Sequence, residues 1–229
     1  MSIVECLGLT RTYKQGKVEV TALRDIDLKV EAGDLVALAG PSGSGKTTML
    51  NLIGGLDRPD KGRIVVNGNQ YAELKESRMA ELRLHHIGFV FQAYNLIPVL
   101  SALENVEYVM MLQGVATDVR RDRARRILDE VGLTEEYQRR PAELSGGQQQ
   151  RVAVARAIVS DPSLVLADEP TANLDSKTGE GLLRLMTRMN QERGVTFIFS
   201  THDPMVMAYA RRVVTIRDGR IADDQIKAE

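Results

Sequence analysis

Five apolar residues, Leu35 to Ala39, run directly into Gly40-Pro41-Ser42-Gly43-Ser44-Gly45-Lys46-Thr47. A short apolar run bounded by turn residues reads as a strand covered on both faces, the kind found in parallel sheets. Glycine lacks a Cβ and permits backbone turns that other residues resist, and Gly40, Gly43 and Gly45 crowd the next few positions. A helix is expected from about Lys46. Strand, glycine loop and helix make one arm of an α/β fold, and the spacing G-x-x-x-x-G-K-[ST] gives that arm a chemistry. Backbone N–H groups converge on an anion at a helix start. Lys46 adds positive charge for the β- and γ-phosphates, and the Thr47 hydroxyl suits Mg²⁺. By average residue usage the pattern arises by chance in on the order of 1% of chains this long. Gly40, Pro41, Ser42, Gly43, Ser44, Gly45, Lys46, Thr47 and Thr48 therefore form the candidate nucleotide-binding set.

The rest of the chain extends the same plan. Residues 26–30 alternate apolar and polar, as a half-buried strand should. Residues 64–66 form another strand, closed by an Asn67-Gly68 hairpin turn. A strand at 87–91 leads into irregular chain through Pro98. Ser101 to Glu104 and Ser145 to Gln148 each have capping-box spacing and start helices. A helix over 118–131 stops at Gly132, and the helix after Ser145 stops at Asp161-Pro162. Residues 164–167 are a buried strand. Asp175 or Ser176 caps a helix that ends at Gly194. Strands follow at 196–200 and at 213–216, the latter turning at Asp218-Gly219. Strand and helix alternate at both ends of the chain, whereas about 95–159 is mostly helical. The expectation is one α/β domain over 1–229, with a mixed sheet flanked by helices and an inserted helical lobe. Residues of about 1–94 and 160–229 form its body, and its first segment reads as strands.

Composition removes several classes of function. The formal net charge of −1 argues against nucleic-acid binding through a broad basic surface. One cysteine, Cys6, allows no internal disulfide, and with only 3 His a zinc cluster is not expected. The N-terminus lacks a signal-peptide pattern, and no apolar run is long enough to span a bilayer. The expected location is the cytoplasm. The basic run Arg120, Arg121, Arg123, Arg125 and Arg126 reads as a solvated helix face, and Met110, Met111, Met186 and Met189 read as packing.

Asp168 and Glu169 end the apolar strand at 164–167. By itself such a pair fits a solvated strand end. After a phosphate loop it fits Asp168 near Mg²⁺ and Glu169 as general base for the attacking water. His202 also follows a strand and can hydrogen-bond a γ-phosphate, although a lone His is as often structural. Gln92 can bind metal or water through its amide, or simply be solvated.

Leu144-Ser145-Gly146-Gly147-Gln148 narrows these readings. With the phosphate loop before it, this run resembles the signature of the ATP-binding cassette family. Ser145, Gly146 and Gly147 sit at a second helix start, again favourable to an anion. The resemblance implies a P-loop ATPase core with an N-terminal antiparallel β subdomain and a helical signature subdomain. It implies a head-to-tail homodimer in which one chain's Ser145 to Gln148 meets the γ-phosphate held by the other. Tyr13 matches the aromatic residue that stacks on adenine, and Gln92 matches the mobile glutamine beside the docking groove of a membrane partner, near 92–99. Ala172 to Asp175 matches the loop crossing the dimer interface, with Asp175 in the nucleotide set. His202 matches the switch histidine, and Glu169 stands at the base position. Gly88 to Gln92, Asn95 to Pro98, Ala102 to Val106 and Leu166 to Thr171 resemble the lipoprotein-release and macrolide-efflux group. Ala172 departs from it, where Gly is common. The implied cofactors are ATP and Mg²⁺, and the implied location is the cytoplasmic face of the membrane. A related FtsE-like ATPase, which signals through a membrane protein without transport, carries the same motifs. A DNA-repair ATPase would add coiled coils or zinc modules, and a generic P-loop kinase would lack the signature.

Overall fold

The computed structural model describes residues 1–16 and 18–227. The single-domain span 1–229 thus includes residues 17, 228 and 229, which lie outside the described ones. β1 (Ser2–Gln15) and β2 (Val18–Glu31) pair antiparallel as one long hairpin. Val4 and Cys6 face the core, and strict alternation would then send Leu9 into solvent. A register shift between Cys6 and Leu9, at Gly8 with φ 60°, returns Leu9 to the core side. β3 (Leu35–Ala39) and α1 (Lys46–Ile53) come next. β4 (Lys61–Val66) then pairs with the other edge of β1 and turns at Asn67-Gly68 into the short β5 (Asn69–Gln70). This sheet has the order β2-β1-β4-β5.

α2 (Glu76–His86) leads to β6 (Ile87–Val90), and α3 (Ala102–Leu112), α4 (Thr117–Glu130) and α5 (Gly146–Ile158) follow as the helical lobe. Then come β7 (Leu164–Asp168), α6 (Ser176–Arg193), β8 (Thr196–Thr201), α7 (Pro204–Tyr209), β9 (Arg212–Arg217) and β10 (Arg220–Ile226). The second sheet is six-stranded, ordered β10-β9-β3-β8-β7-β6, and parallel except at the β10 edge. The expected mixed sheet is therefore present, and the N-terminal strands form the separate antiparallel layer.

Side chains of the central strands alternate between two apolar beds. Leu35, Val165, Ala167, Phe197 and Phe199 join the lobe helices and α6. Val36, Leu38, Leu164, Leu166 and Ile198 join α1 and the hairpin. Burial on both faces explains why these strands read as continuous apolar runs. The C-terminal ends of β3, β6, β7 and β8 share one edge of the sheet, where parallel α/β proteins place ligands. Among the described residues, no helix is long and apolar enough to cross a membrane.

Both capping boxes form as expected, at Ser101 with Glu104 and at Ser145 with Gln148. The strand expected at 87–91 ends at Val90, and the helix expected at 118–131 is Thr117–Glu130. α2 was not legible because it is mostly polar, with Met79 and Leu82 as its buried residues. α7 has only 6 residues, opened by the Asp203 cap and Pro204.

Gly88 sets how closely the lobe approaches the sheet. A Cβ there would stand 2.2 Å from the carbonyl oxygen of Ala157 on α5. Gly88→Ala is expected to destabilise the fold by about 2–3 kcal/mol. The readout is a lower urea midpoint with an unchanged slope.

Candidate functional site

The glycine loop is shaped by backbone that no other residue adopts cheaply. Gly40, Gly43 and Gly45 have φ of 150°, 78° and 109°. A Cβ on Gly40 would lie 2.2 Å from the Ile216 carbonyl oxygen, and one on Gly45 would lie 2.5 Å from that of Ala22. The loop is thus wedged between β9 and β2. Lys46 is buried, and its Nζ donates to the carbonyls of Gly40 at 2.8 Å and Pro41 at 3.0 Å. The Ser44 hydroxyl is buried with no hydrogen-bond partner among the described residues. An orphaned buried hydroxyl beside convergent N–H groups suits an anionic ligand. Pro41 and Ser42 are exposed, and Thr48 is half-buried.

The acids lie across the sheet edge from this loop. The Thr47 hydroxyl donates to both carboxylate oxygens of Asp168, at 3.1 and 3.2 Å. Ser200 pairs in register with Asp168 and also donates its hydroxyl to it. Thr47 and Asp168 are hard oxygen donors, a set that fits Mg²⁺ bound mainly by water and phosphate. Glu169 leaves the strand in a left-handed conformation, φ 45°, held by its N–H on the Ser200 carbonyl at 3.0 Å. Such a φ is costly for a residue with a Cβ, and it sends Glu169 away from Asp168. Its Oε1 lies 2.8 Å from His202 Nδ1, and Thr201 donates to Oε2 at 3.4 Å. The Glu169 side chain is 15% exposed and that of His202 68%. A shielded carboxylate faces an open imidazole, as a base and its orienting partner require. Ser200 and Thr201 were missed in the sequence. Their signal is that β7 and β8 are adjacent parallel strands whose polar ends coincide.

The other expected site residues lie apart from this cluster. Ser145 is exposed at the start of α5, and its hydroxyl accepts from the Gln148 N–H at 3.2 Å. Gln148 returns the bond to the Ser145 N–H at 2.9 Å and reaches Glu136 at 3.1 Å. Gly146 and Gly147 are wedged too: a Cβ would meet the Tyr94 hydroxyl at 2.9 Å and Thr178 Cγ2 at 2.5 Å respectively. Asp175 caps α6 by accepting from the Thr178 N–H at 3.0 Å. Hydrogen bonds from the Thr178 hydroxyl and N–H hold its pKa below the ordinary value. Gln92 is exposed, and its main-chain carbonyl accepts from Asn173 Nδ2 at 2.8 Å.

Tyr13 is half-buried and held firmly. Its hydroxyl donates to Asp57 at 2.7 Å, and the Arg11 guanidinium sits 4.7 Å from the ring centroid. Arg11 is itself bonded to Asp57 at 2.8 and 2.9 Å and to Asp60 at 2.8 Å. One face of the ring is therefore covered by a cation, which sequence inspection did not foresee.

The basic run on α4 is exposed apart from Arg120. That residue is half-buried and, with Arg121, flanks the buried Glu107 at 3.6 and 3.4 Å. Met110, Met186 and Met189 pack in the core as expected, whereas Met111 is 45% exposed. Burial pushes the Cys6 thiol up to about 12, which leaves it unreactive. A cavity of about 420 Å³ opens between body and lobe, lined by Leu56, Leu84, Phe89, Phe91, Val109 and Arg156. Phe89 and Phe91 stack at 5.8 Å. Of the stretch 92–99 expected to form the docking groove, Asn95 reaches it.

Known proteins share this fold. The description of the ABC transporter family matches residues 23–172. The macrolide export ATP-binding/permease protein MacB of Syntrophobacter fumaroxidans is 50% identical over 223 residues. That match takes in 96% of this chain and 31% of the relative, so the chain spans about a third of its length. The lipoprotein-releasing system ATP-binding protein LolD of Chromohalobacter salexigens is 46% identical over 222 residues, 97% of this chain and 94% of its own. A solved dimeric post-hydrolysis state of the ATP-binding cassette MJ0796, bound to ADP and Pi, is 40% identical with a TM-score of 0.92, over 99% of both chains. The chain belongs to the ABC transporter family, as an ATP-binding and ATP-hydrolysing cassette.

Proposed function

We propose that two copies of this chain close head to tail around two ATP·Mg²⁺ and so drive a separate membrane-embedded partner. The observation that carries this reading is the separation of two anion-binding helix starts. Lys46 opens α1 and Ser145 opens α5, and among the described residues no hydrogen bond joins the two segments. Two such ends on one chain serve one triphosphate if a second copy supplies the other half.

In the closed pair, the loop N–H groups and Lys46 hold the phosphates. Thr47 and Asp168, with the Gln92 amide, would hold Mg²⁺, which would neutralise phosphate charge. Glu169 takes the proton of the attacking water, and His202 orients both. Ser145, Gly146, Gly147 and Gln148 of the second copy cover the γ-phosphate, with Asp175 beside them. The uncovered face of Tyr13 stacks on adenine. Hydrolysis leaves two anions at the joint, and the pair loosens.

The cavity beside the stacked Phe89 and Phe91 suits the membrane partner, because its lining is mainly apolar and includes Arg83 and Arg156. Similarity to lipoprotein-releasing and macrolide-export cassettes supports export or release from the cytoplasmic face. Light scattering on Glu169→Gln tests the pairing. With ATP the mass should move from 25.4 kDa to about twice that value, and with ADP it should not. A species that stays monomeric at saturating ATP would refute the head-to-tail reading.

A further inference from the structure

Three segments of one chain converge on Gly146, and each carries part of the proposed site. Tyr94 brings the Gln92 segment against it, since a Cβ on Gly146 would lie 2.9 Å from the Tyr94 hydroxyl. Asn173 brings the loop before α6, with its carbonyl oxygen 3.7 Å from the same point. Gly146 itself is the first residue of α5. Two polar ties then bind the Gln92 segment to the other two. Asn173 Nδ2 donates to the Gln92 carbonyl at 2.8 Å. From α5, the Arg156 guanidinium donates to the carbonyls of Tyr94 at 2.9 Å and Asn95 at 2.6 Å.

Arg156 is unusual in its partners. It pairs with no carboxylate among the described residues, although burial lowers its pKa. A partly buried guanidinium with only carbonyl acceptors is a costly way to pack a helix. It is an effective way to hold backbone in a conformation that backbone resists. Tyr94 and Asn95 both have positive φ, 60° and 49°, where residues with a Cβ are strained. Their carbonyls therefore need fixing from outside the segment, and Arg156 fixes both.

We infer that Asn173 is a positioning residue, which together with Arg156 locks the Gln92 segment to the start of α5 and to the loop before α6. Gln92 then shifts only when those two interface segments shift. This rests on the proposed shared site and adds to it the internal linkage by which one chain's sensing loop follows the closure of the pair. Asn173 touches neither the phosphate loop nor Glu169 among the described contacts, so it acts through Gln92.

A double-mutant cycle on the full chain tests this, with ATP turnover and KM measured for each variant. Asn173→Ala is expected to lower kcat about three- to tenfold, the worth of one hydrogen bond, with KM changed less than about twofold. In a Gln92→Ala background the same substitution should change kcat by less than about twofold, because there is no side chain left to place. Asn173→Asp keeps the shape but replaces the donor by a carboxylate oxygen facing the Gln92 carbonyl, and it should cost at least as much as Asn173→Ala. Asn173→Ala placed on Glu169→Gln should still pair with ATP. Full additivity with Gln92→Ala, or an unaffected Asn173→Ala, overturns the inference alone. Loss of ATP-driven pairing also overturns it, by making Asn173 a contact between copies. If Gln92→Ala itself turns over normally, the role proposed for Gln92 falls first and the inference falls with it.

Discussion

Glu169→Gln is expected to reduce ATP turnover at least about a hundredfold while leaving ATP affinity within about twofold. The substitution changes few atoms. The amide fits the same space, and its oxygen can still accept from His202 Nδ1 at the present 2.8 Å. It cannot take a proton from water. In the proposed site, binding rests on Lys46 and the loop N–H groups, which Glu169 does not touch among the described contacts. The alternative is that His202 is the base and Glu169 only orients it. His202→Ala would then cost as much as the loss of a base, and Glu169→Gln would keep most of its turnover. Single-turnover phosphate release, with nucleotide binding measured separately, decides between them. Normal phosphate release by Glu169→Gln refutes the assignment.

Ser145→Arg should bring turnover close to background, a loss on the order of a thousandfold, while the isolated chain still binds ATP. Ser145 is exposed and belongs to no buried cluster, so the change leaves the core intact. It removes the cap on α5, at a cost of about 1 kcal/mol. Ser145→Ala removes the same cap and is the control. If only the cap mattered, the two variants would behave alike. In the shared-site arrangement the long guanidinium instead fills the space through which the second copy's phosphate approaches the helix start. Turnover by protein diluted until it is monomeric settles the point. A full rate there would show that one chain is sufficient.

Residues whose roles depend on backbone were the most legible in the sequence. The loop from Gly40 to Thr47 announces itself because anion binding by N–H groups demands glycine at fixed places. The helix starts at Ser101 and Ser145 are readable for a similar reason, since capping is local. The parallel sheet followed from strands too apolar to have a wet face. What escaped was set by distance across the sheet. Ser200 meets Asp168 because β7 and β8 are neighbours, and nothing in either segment states that adjacency. The Arg11–Asp57–Tyr13 cluster brings Asp57 to the first strand from far along the chain, so the cover on one face of the Tyr13 ring was not readable. Asn173 lies in the run matched to the interface loop, but its tie to Gln92 was hidden, because the partner is a main-chain carbonyl and any residue supplies one. α2 escaped because a mostly polar helix lacks the apolar period by which helices are recognised.

The central sheet keeps its two apolar beds apart, and this bears on how such a chain can change over time. Substitutions that reshape the lobe for a new membrane companion repack the layer under α3, α4 and α5. They leave in place Val36, Leu38 and the α1 residues that seat the glycine loop in the other layer, which the lobe-side cavity touches through Ile87 and Phe89. On the proposed partnership, most of the lobe can thus vary while the seat of the glycine loop keeps its shape.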